Sequence, residues 1–137
     1  MSLTTSYFAV AQRLKDKKIS IARFNPPRLV RSIDEILTHF APTVDLLQEY
    51  KKGRISWAEY QRRYTQEQRQ HYRIRPEHFF DILERATKED LALLCYERFV
   101  GKNTLCHRFL LYEMLQRVDK KEKYGVKFVD ETSPNKL

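Results

Sequence analysis

Leu91-Ala92-Leu93-Leu94-Cys95-Tyr96 follows the charged segment Lys88-Glu89-Asp90 and runs into Glu97-Arg98. A short unbroken apolar run between charges reads as a strand buried on both faces, the kind found inside α/β sheets. Downstream, Gly101-Lys102-Asn103-Thr104 reads as a loop. A helix is expected next, through Leu105, Phe109, Leu111, Met114, Leu115 and Val118. Lys120, Lys121 and Lys123 complement its dipole, and Gly125 is expected to end it. Val126-Lys127-Phe128-Val129 reads as a last strand, and residues 132–137 as a frayed tail.

Upstream of the apolar run, two further strands are expected. Residues 5–10 are rich in β-branched and aromatic side chains, and residues 18–24 alternate apolar and polar up to Asn25-Pro26-Pro27. Helical signals fill the space between. Ser32-Ile33-Asp34-Glu35 has the form of a capping box, with Ile33, Ile36, Leu37 and Phe40 as its apolar face. Pro42-Thr43 opens another helix, with Gly53 beyond its end. Ser56-Trp57-Ala58-Glu59 is a second capping box, and Pro76 suits the first position of a helix carrying Phe79, Phe80, Leu83 and Ala86. The expected fold is α/β: a small mixed sheet of about four strands covered by helices, in one domain over residues 1–131.

Composition narrows the class. The chain has 137 residues, 42% of them hydrophobic, which is enough for a core without metal or disulfide support. No apolar run is long enough to span a bilayer. The N-terminal MSLTTSYFAVAQRLKDKK lacks the pattern of a secretory signal. A cytoplasmic location with reduced Cys95 and Cys106 is therefore expected. The formal charge of +8 is concentrated at residues 11–31 and 51–75, while residues 32–50 hold only acidic charges. Such a surface attracts nucleic acid, nucleotides or other anions, and it equally serves as a solvated face.

The chemistry-bearing segment is Cys95-Tyr96-Glu97-Arg98, the loop, then Cys106-His107-Arg108. A buried strand delivers Cys95 and Glu97 to its C-terminal end, where α/β sheets hold ligands. The loop returns into a helix whose first turn carries Cys106, His107 and Arg108, beside backbone N–H groups that favour anions. Cationic groups at that end of a helix ask for an anionic partner: Glu97, or a ligand carboxylate or phosphate. Arg23, leaving the second strand, reaches the same crevice if the strands are parallel neighbours. Cys106 is the candidate nucleophile, its thiol acidified by the helix start, His107 and Arg108. Cys95 reads as a buried small apolar group.

Other chemistries are excluded by spacing. Neither cysteine is followed by a phosphatase-type Cys-x5-Arg loop, and there is no CxxC, GxGxxG or Walker A motif. Cys95, Cys106 and His107 lie outside the usual zinc pair spacing, so neither a metal nor a cofactor is expected. His39, His71 and His78 have no ligand partner one helical turn away and read as surface or satisfied core residues. Trp57, Tyr60 and Tyr64 share a helical stripe among Arg62, Arg63, Arg69, Arg73 and Arg75. Such a stripe packs a core or, with the arginines, stacks nucleic-acid bases.

Leu93-Leu94-Cys95-x-Glu97 followed by Cys106-His107-Arg108 resembles the LLC-x-E … CHR signature of domain-of-unknown-function family 488. Trp57-x-x-Tyr60-x-x-x-Tyr64 resembles that family's central helix pattern, and Ile21-Ala22-Arg23 with Pro26 its early strand. The resemblance covers roughly residues 7–115. It implies a compact α/β cytosolic domain and no established reaction.

Three functional readings stand at this point. The first is an anion-binding, thiol-based pocket: Cys106, His107 and Glu97 as chemistry, Arg108 and Arg23 as anion holders, Cys95 as support. Its partner would be an anionic small molecule or nucleotide. The second is a basic nucleic-acid-binding module without catalysis. The third is an interaction protein in which the Cys-His-Arg turn pairs with Glu97 only to hold the fold. No membrane partner is expected.

Overall fold

The computed structural model describes residues 1–25, 27–95 and 106–130. Four strands form one sheet: β1 (Ser2–Tyr7), β2 (Lys17–Ser20), β3 (Glu35–Ile36) and β4 (Asp90–Cys95), in the order β1-β4-β2-β3. The helices are α1 (Pro27–Val30), α2 (Val44–Lys51), α3 (Trp57–Ile74), α4 (Pro76–Ala86) and α5 (His107–Glu122), with 3-10 turns at Phe8–Arg13 and Thr38–Phe40. The α/β class and the strand number follow the sequence expectation. The sheet is not mixed, however: every described ladder is parallel.

The apolar run forms β4, the inner strand, paired to β1 on one side and β2 on the other. Leu91, Ala92, Leu93 and Leu94 are all fully buried. Side chains of a strand alternate between faces, and β4 splits accordingly. Leu91 and Leu93 join Leu3, Ile19, Phe79 and Leu111 in the core beneath the helices. Ala92 and Leu94 join Phe8, Ala11, Leu14 and Ala22 on the other face.

Local signals set most helix ends. Thr43 caps α2 by accepting from the Leu46 N–H, and Ser56 caps α3 by accepting from the Glu59 N–H. Gly53, at φ +72°, follows α2 in the left-handed conformation that releases a chain from a helix. Pro76 begins α4. Lys123 at φ 60° ends α5 two residues before the expected Gly125.

Four expectations are corrected. The first strand begins at Ser2, because β4 offers a continuous partner from Asp90 onward, and residues 8–13 coil into a 3-10 turn. The second strand is shorter than residues 18–24 and stops at Ser20. Ser32-Ile33-Asp34-Glu35 does not cap a helix. Instead Asp34 accepts from the Lys18 N–H at 2.8 Å, and Glu35 enters β3 and pairs with Arg85 at 2.7 Å. A tertiary ion pair and a sheet edge outcompete the local cap. Finally, residues 126–129 do not form a full strand: they make one parallel bridge, Leu3 to Phe128.

Candidate functional site

Parallel pairing aligns the C-terminal ends of β1, β4 and β2, so the groups leaving those strands meet. Cys95 is the last residue of β4, opposite Tyr7 of β1. Cys106 is the N-cap residue of α5, with extended backbone angles. The two are joined by a disulfide, and neither cysteine is free. The expectation of two reduced thiols is thereby corrected: the fold sets the sulfurs face to face across residues that are distant by motif standards. Pro26, Glu97, Arg98, the 101–104 loop and the 132–137 tail lie outside the described residues, so Glu97 has no described place in this site.

His107 is buried, and its Nε2 lies 2.7 Å from the carbonyl oxygen of Ile21. A carbonyl only accepts, so Nε2 carries the proton and Nδ1 holds the lone pair. That lone pair faces the Cys106 sulfur at 3.8 Å. Burial pushes His107 down to about 4, against the Ile21 hydrogen bond and with help from Arg108 and Arg23. His107 is therefore neutral near pH 7, an acceptor and not a cation. Tyr64 packs against its ring at a centroid distance of 5.4 Å, held by its own hydroxyl donating to the Phe40 carbonyl at 2.7 Å.

Arg108 is 0% exposed, unusual for a guanidinium. Its Nη1 donates to the Cys95 sulfur at 2.9 Å, and the group lies 4.5 Å from the centre of the Phe109 ring. The cation of the Cys-His-Arg turn is thus aimed at Cys95, while Cys106 has the helix start and a neutral imidazole.

A cavity of about 270 Å³ opens beside this pair, lined by Ala22, Arg23, Phe24, Pro42, Leu47, Tyr50, Lys51, Tyr60, Cys95, Cys106 and His107. The sulfurs and His107 form its buried end, and Lys51 and Phe24 its exposed end. Tyr60 and Tyr50 face each other at 4.7 Å and wall one side, with Trp57 stacked behind Tyr60 at 5.2 Å. Arg23 reaches the crevice as expected; its Nε donates to the Pro42 carbonyl at 3.0 Å, which ties it to the wall. The aromatic stripe therefore divides: Tyr64 is core, and Tyr60 is both core and cavity lining.

Leu47 and Tyr50, which the sequence assigns to the buried side of the helix after Pro42-Thr43, line the crevice together with Lys51, and no local motif marks them as site residues. The sequence reading sets aside His39, His71 and His78, which the fold gathers into one group. No local spacing signals that cluster, since its members come from three elements.

The chain is a parallel α/β sheet with a lined crevice beyond its strand ends. The family model DUF488-N3a, described as the active DUF488-N3 subclade, matches residues 4–119, and the chain belongs to this family. The match contains Arg23, Cys95, Cys106, His107 and Arg108. No curated protein and no solved structure matches the chain. No helix among the described residues is long and apolar enough to cross a membrane.

Proposed function

We propose that the crevice is a thiol–disulfide site for a small molecule combining a flat apolar body with an anionic group. The observation that carries this reading is the Cys95–Cys106 pair at the buried end of the cavity, with the Arg108 guanidinium on the Cys95 sulfur. Aromatic walls suit the apolar body, and Arg23 with Lys51 suits the anion. The polarity of the exchange follows from the charges. An incoming thiolate attacks the Cys106 sulfur, forming a mixed disulfide, and Cys95 leaves as a thiolate. The guanidinium stabilises that leaving group, which speeds exchange. A second thiolate then attacks the substrate sulfur of the mixed disulfide. Cys106 leaves as a thiolate, becoming a thiol on protonation, and a substrate disulfide departs. In the reduced protein, Cys106 is the nucleophile and Cys95 the resolving thiolate.

The test uses 4-(mercaptomethyl)benzoate, an alkanethiol with a flat aromatic body and a carboxylate, whose thiolate is a strong nucleophile and a poor leaving group. Under excess reagent the wild type forms a mixed disulfide on Cys106, identified by peptide mass spectrometry, and releases Cys95 to alkylation. Arg23→Ala and Lys51→Ala each slow the reaction at sub-saturating reagent. A folded protein whose disulfide yields to no thiol without denaturant would overturn the reading.

A second reading has its own observation. Arg63, Gln66, Glu67, Arg69, Gln70 and Arg73 line one surface groove along α3, and Arg69, Arg73 and Arg117 line another between α3 and α5. A nucleic-acid interface there would bind single-stranded RNA or DNA with an affinity that falls steeply with salt. The double variant Arg69→Glu/Arg73→Glu would abolish it while leaving thiol exchange intact. Salt-independent or absent binding rejects this reading alone.

A further inference from the structure

His39, His71 and His78 come from the 3-10 turn before α2, the end of α3 and the first turn of α4. One ring nitrogen from each lies within 4.8 Å of the others. His39 stacks on His78 with ring centres 4.1 Å apart, and both approach His71, at 5.2 and 5.1 Å. Packing three basic rings together gains little for a core that has ample aliphatic side chains. We propose that these three histidines form a binding site for a divalent transition metal ion of the zinc, cobalt and nickel class.

For His71 and His78 the hydrogen bonding already has the form such a site needs, while His39, stacked on His78 at an interplanar angle of 16°, must turn out of the stack to aim a nitrogen at the same ion. Gln68, 2% exposed, accepts at 2.9 Å from Nδ1 of His71. Metal-bound histidines are usually oriented this way through the nitrogen that faces away from the ion. The bond leaves a lone pair on His71 Nε2, which points at Nδ1 of His78, 2.8 Å away. His78 therefore places a hydrogen between the two nitrogens. An ion can take the place of that hydrogen once His78 changes tautomer: its Nδ1 proton passes to solvent and its Nε2 takes one up, so each ring carries its proton on the nitrogen that faces away from the ion. Two nitrogens held by one tetrahedral ion at about 2.0–2.1 Å lie roughly 3.3 Å apart, so the pair opens by about half an ångström.

The surroundings favour a cation with nitrogen ligands. Phe40 and Phe79 pack on the His71 ring and hold it in place. The nearby carboxylates of Glu35, Asp81 and Glu77 are each paired with Arg85 or Arg75, so the site would draw an ion through its imidazole nitrogens and not through net negative charge. Three imidazoles without thiolate suit zinc, cobalt, nickel and copper rather than calcium or magnesium. The rings are half-buried, so an ion reaches them from solvent and keeps a coordination position open.

Cys95, Cys106 and His107 also bring ligand atoms together, so the experiment uses the disulfide form of the full chain, in which those sulfurs are bonded to each other. Metal-stripped protein is titrated with cobalt(II) and followed by visible absorption, then with zinc in competition. The expected result is one ion per chain, with ligand-field bands, no thiolate charge-transfer band, and displacement by zinc. His39→Ala and His78→Ala each weaken binding at least tenfold, with folding checked by circular dichroism. A second readout needs no variant: zinc shifts the imidazole nitrogen resonances of all three histidines together and leaves that of His107 in place. Binding that is unchanged in the His39→Ala/His78→Ala double variant, or zinc that moves none of the three resonances, would overturn the proposal.

Discussion

Arg108 cannot reach water, and both its cost and its use follow from that. Among the described residues its guanidinium touches the Cys95 sulfur and two aromatic faces, Phe109 at 4.5 Å and Tyr7 at 5.9 Å. Arg108→Ala is expected to cost about 2–4 kcal/mol of stability, through lost packing and a lost polar contact, measured by urea denaturation. Arg108→Met keeps most of the volume and recovers part of that stability. On the proposed thiol chemistry both variants slow the departure of Cys95, measured as slower opening of the disulfide by an added thiol. His107 makes a separate prediction. Its pKa in the folded protein is about 4, below its ordinary 6.5, so the unfolded chain takes up the proton more readily. Its contribution is complete above pH 6.5 and is lost as the pH falls toward 4. The full amount is about 3 kcal/mol. His71, also pushed down to about 4 by burial and by its histidine neighbours, acts in the same direction. Urea midpoints measured from about pH 7 to about pH 4.5 should fall steeply in the wild type and less steeply in His107→Gln.

Among the elements, α3 has the most to hold together. Its start depends on Ser56, and Ser56→Ala is expected to cost about 1 kcal/mol in urea denaturation without altering thiol exchange. Tyr64, one helical stripe further on, ties α3 to the Phe40 carbonyl and supports the His107 ring. Tyr64→Phe removes the hydrogen bond and leaves the Phe40 carbonyl unpaired by that donor, at a cost of about 1–2 kcal/mol. The inner strand β4 is legible from its sequence alone, because a parallel strand covered on both faces needs apolar residues at every position. β3 is not legible. Its two residues obey an edge pairing with β2 and an ion pair with Arg85, while the local pattern advertises a helix cap. A short edge strand carries too few residues for a periodic signal to outweigh a cap motif.

At the scale of the molecule, the disulfide ties the end of the inner strand to the start of the last helix. The cysteines are separated by 11 positions, and closing a loop of that size is worth roughly 3 kcal/mol. Reduction should lower the urea stability by about that amount while leaving the far-ultraviolet circular dichroism of the folded protein unchanged, since both elements are also packed in the core. The arginines of α3 lie along grooves remote in sequence from the Cys-His-Arg turn, whereas Arg23 and Lys51 bring positive charge to the crevice beside the disulfide.

Sequence alone determined the α/β class, the buried strand, the Thr43, Ser56 and Pro76 helix starts, and the Cys-His-Arg turn at the mouth of a helix. These are properties of neighbours within a few positions, where backbone hydrogen bonds and side-chain periodicity act directly. The tertiary structure decided what those residues touch. It joined Cys95 to Cys106, turned the Arg108 guanidinium toward Cys95, and gave His107 the Ile21 carbonyl. It also gathered His39, His71 and His78 from three elements. Contacts of this kind depend on how helices pack across the strand ends, and that packing is set by the whole core and not by the spacing of the residues that meet there.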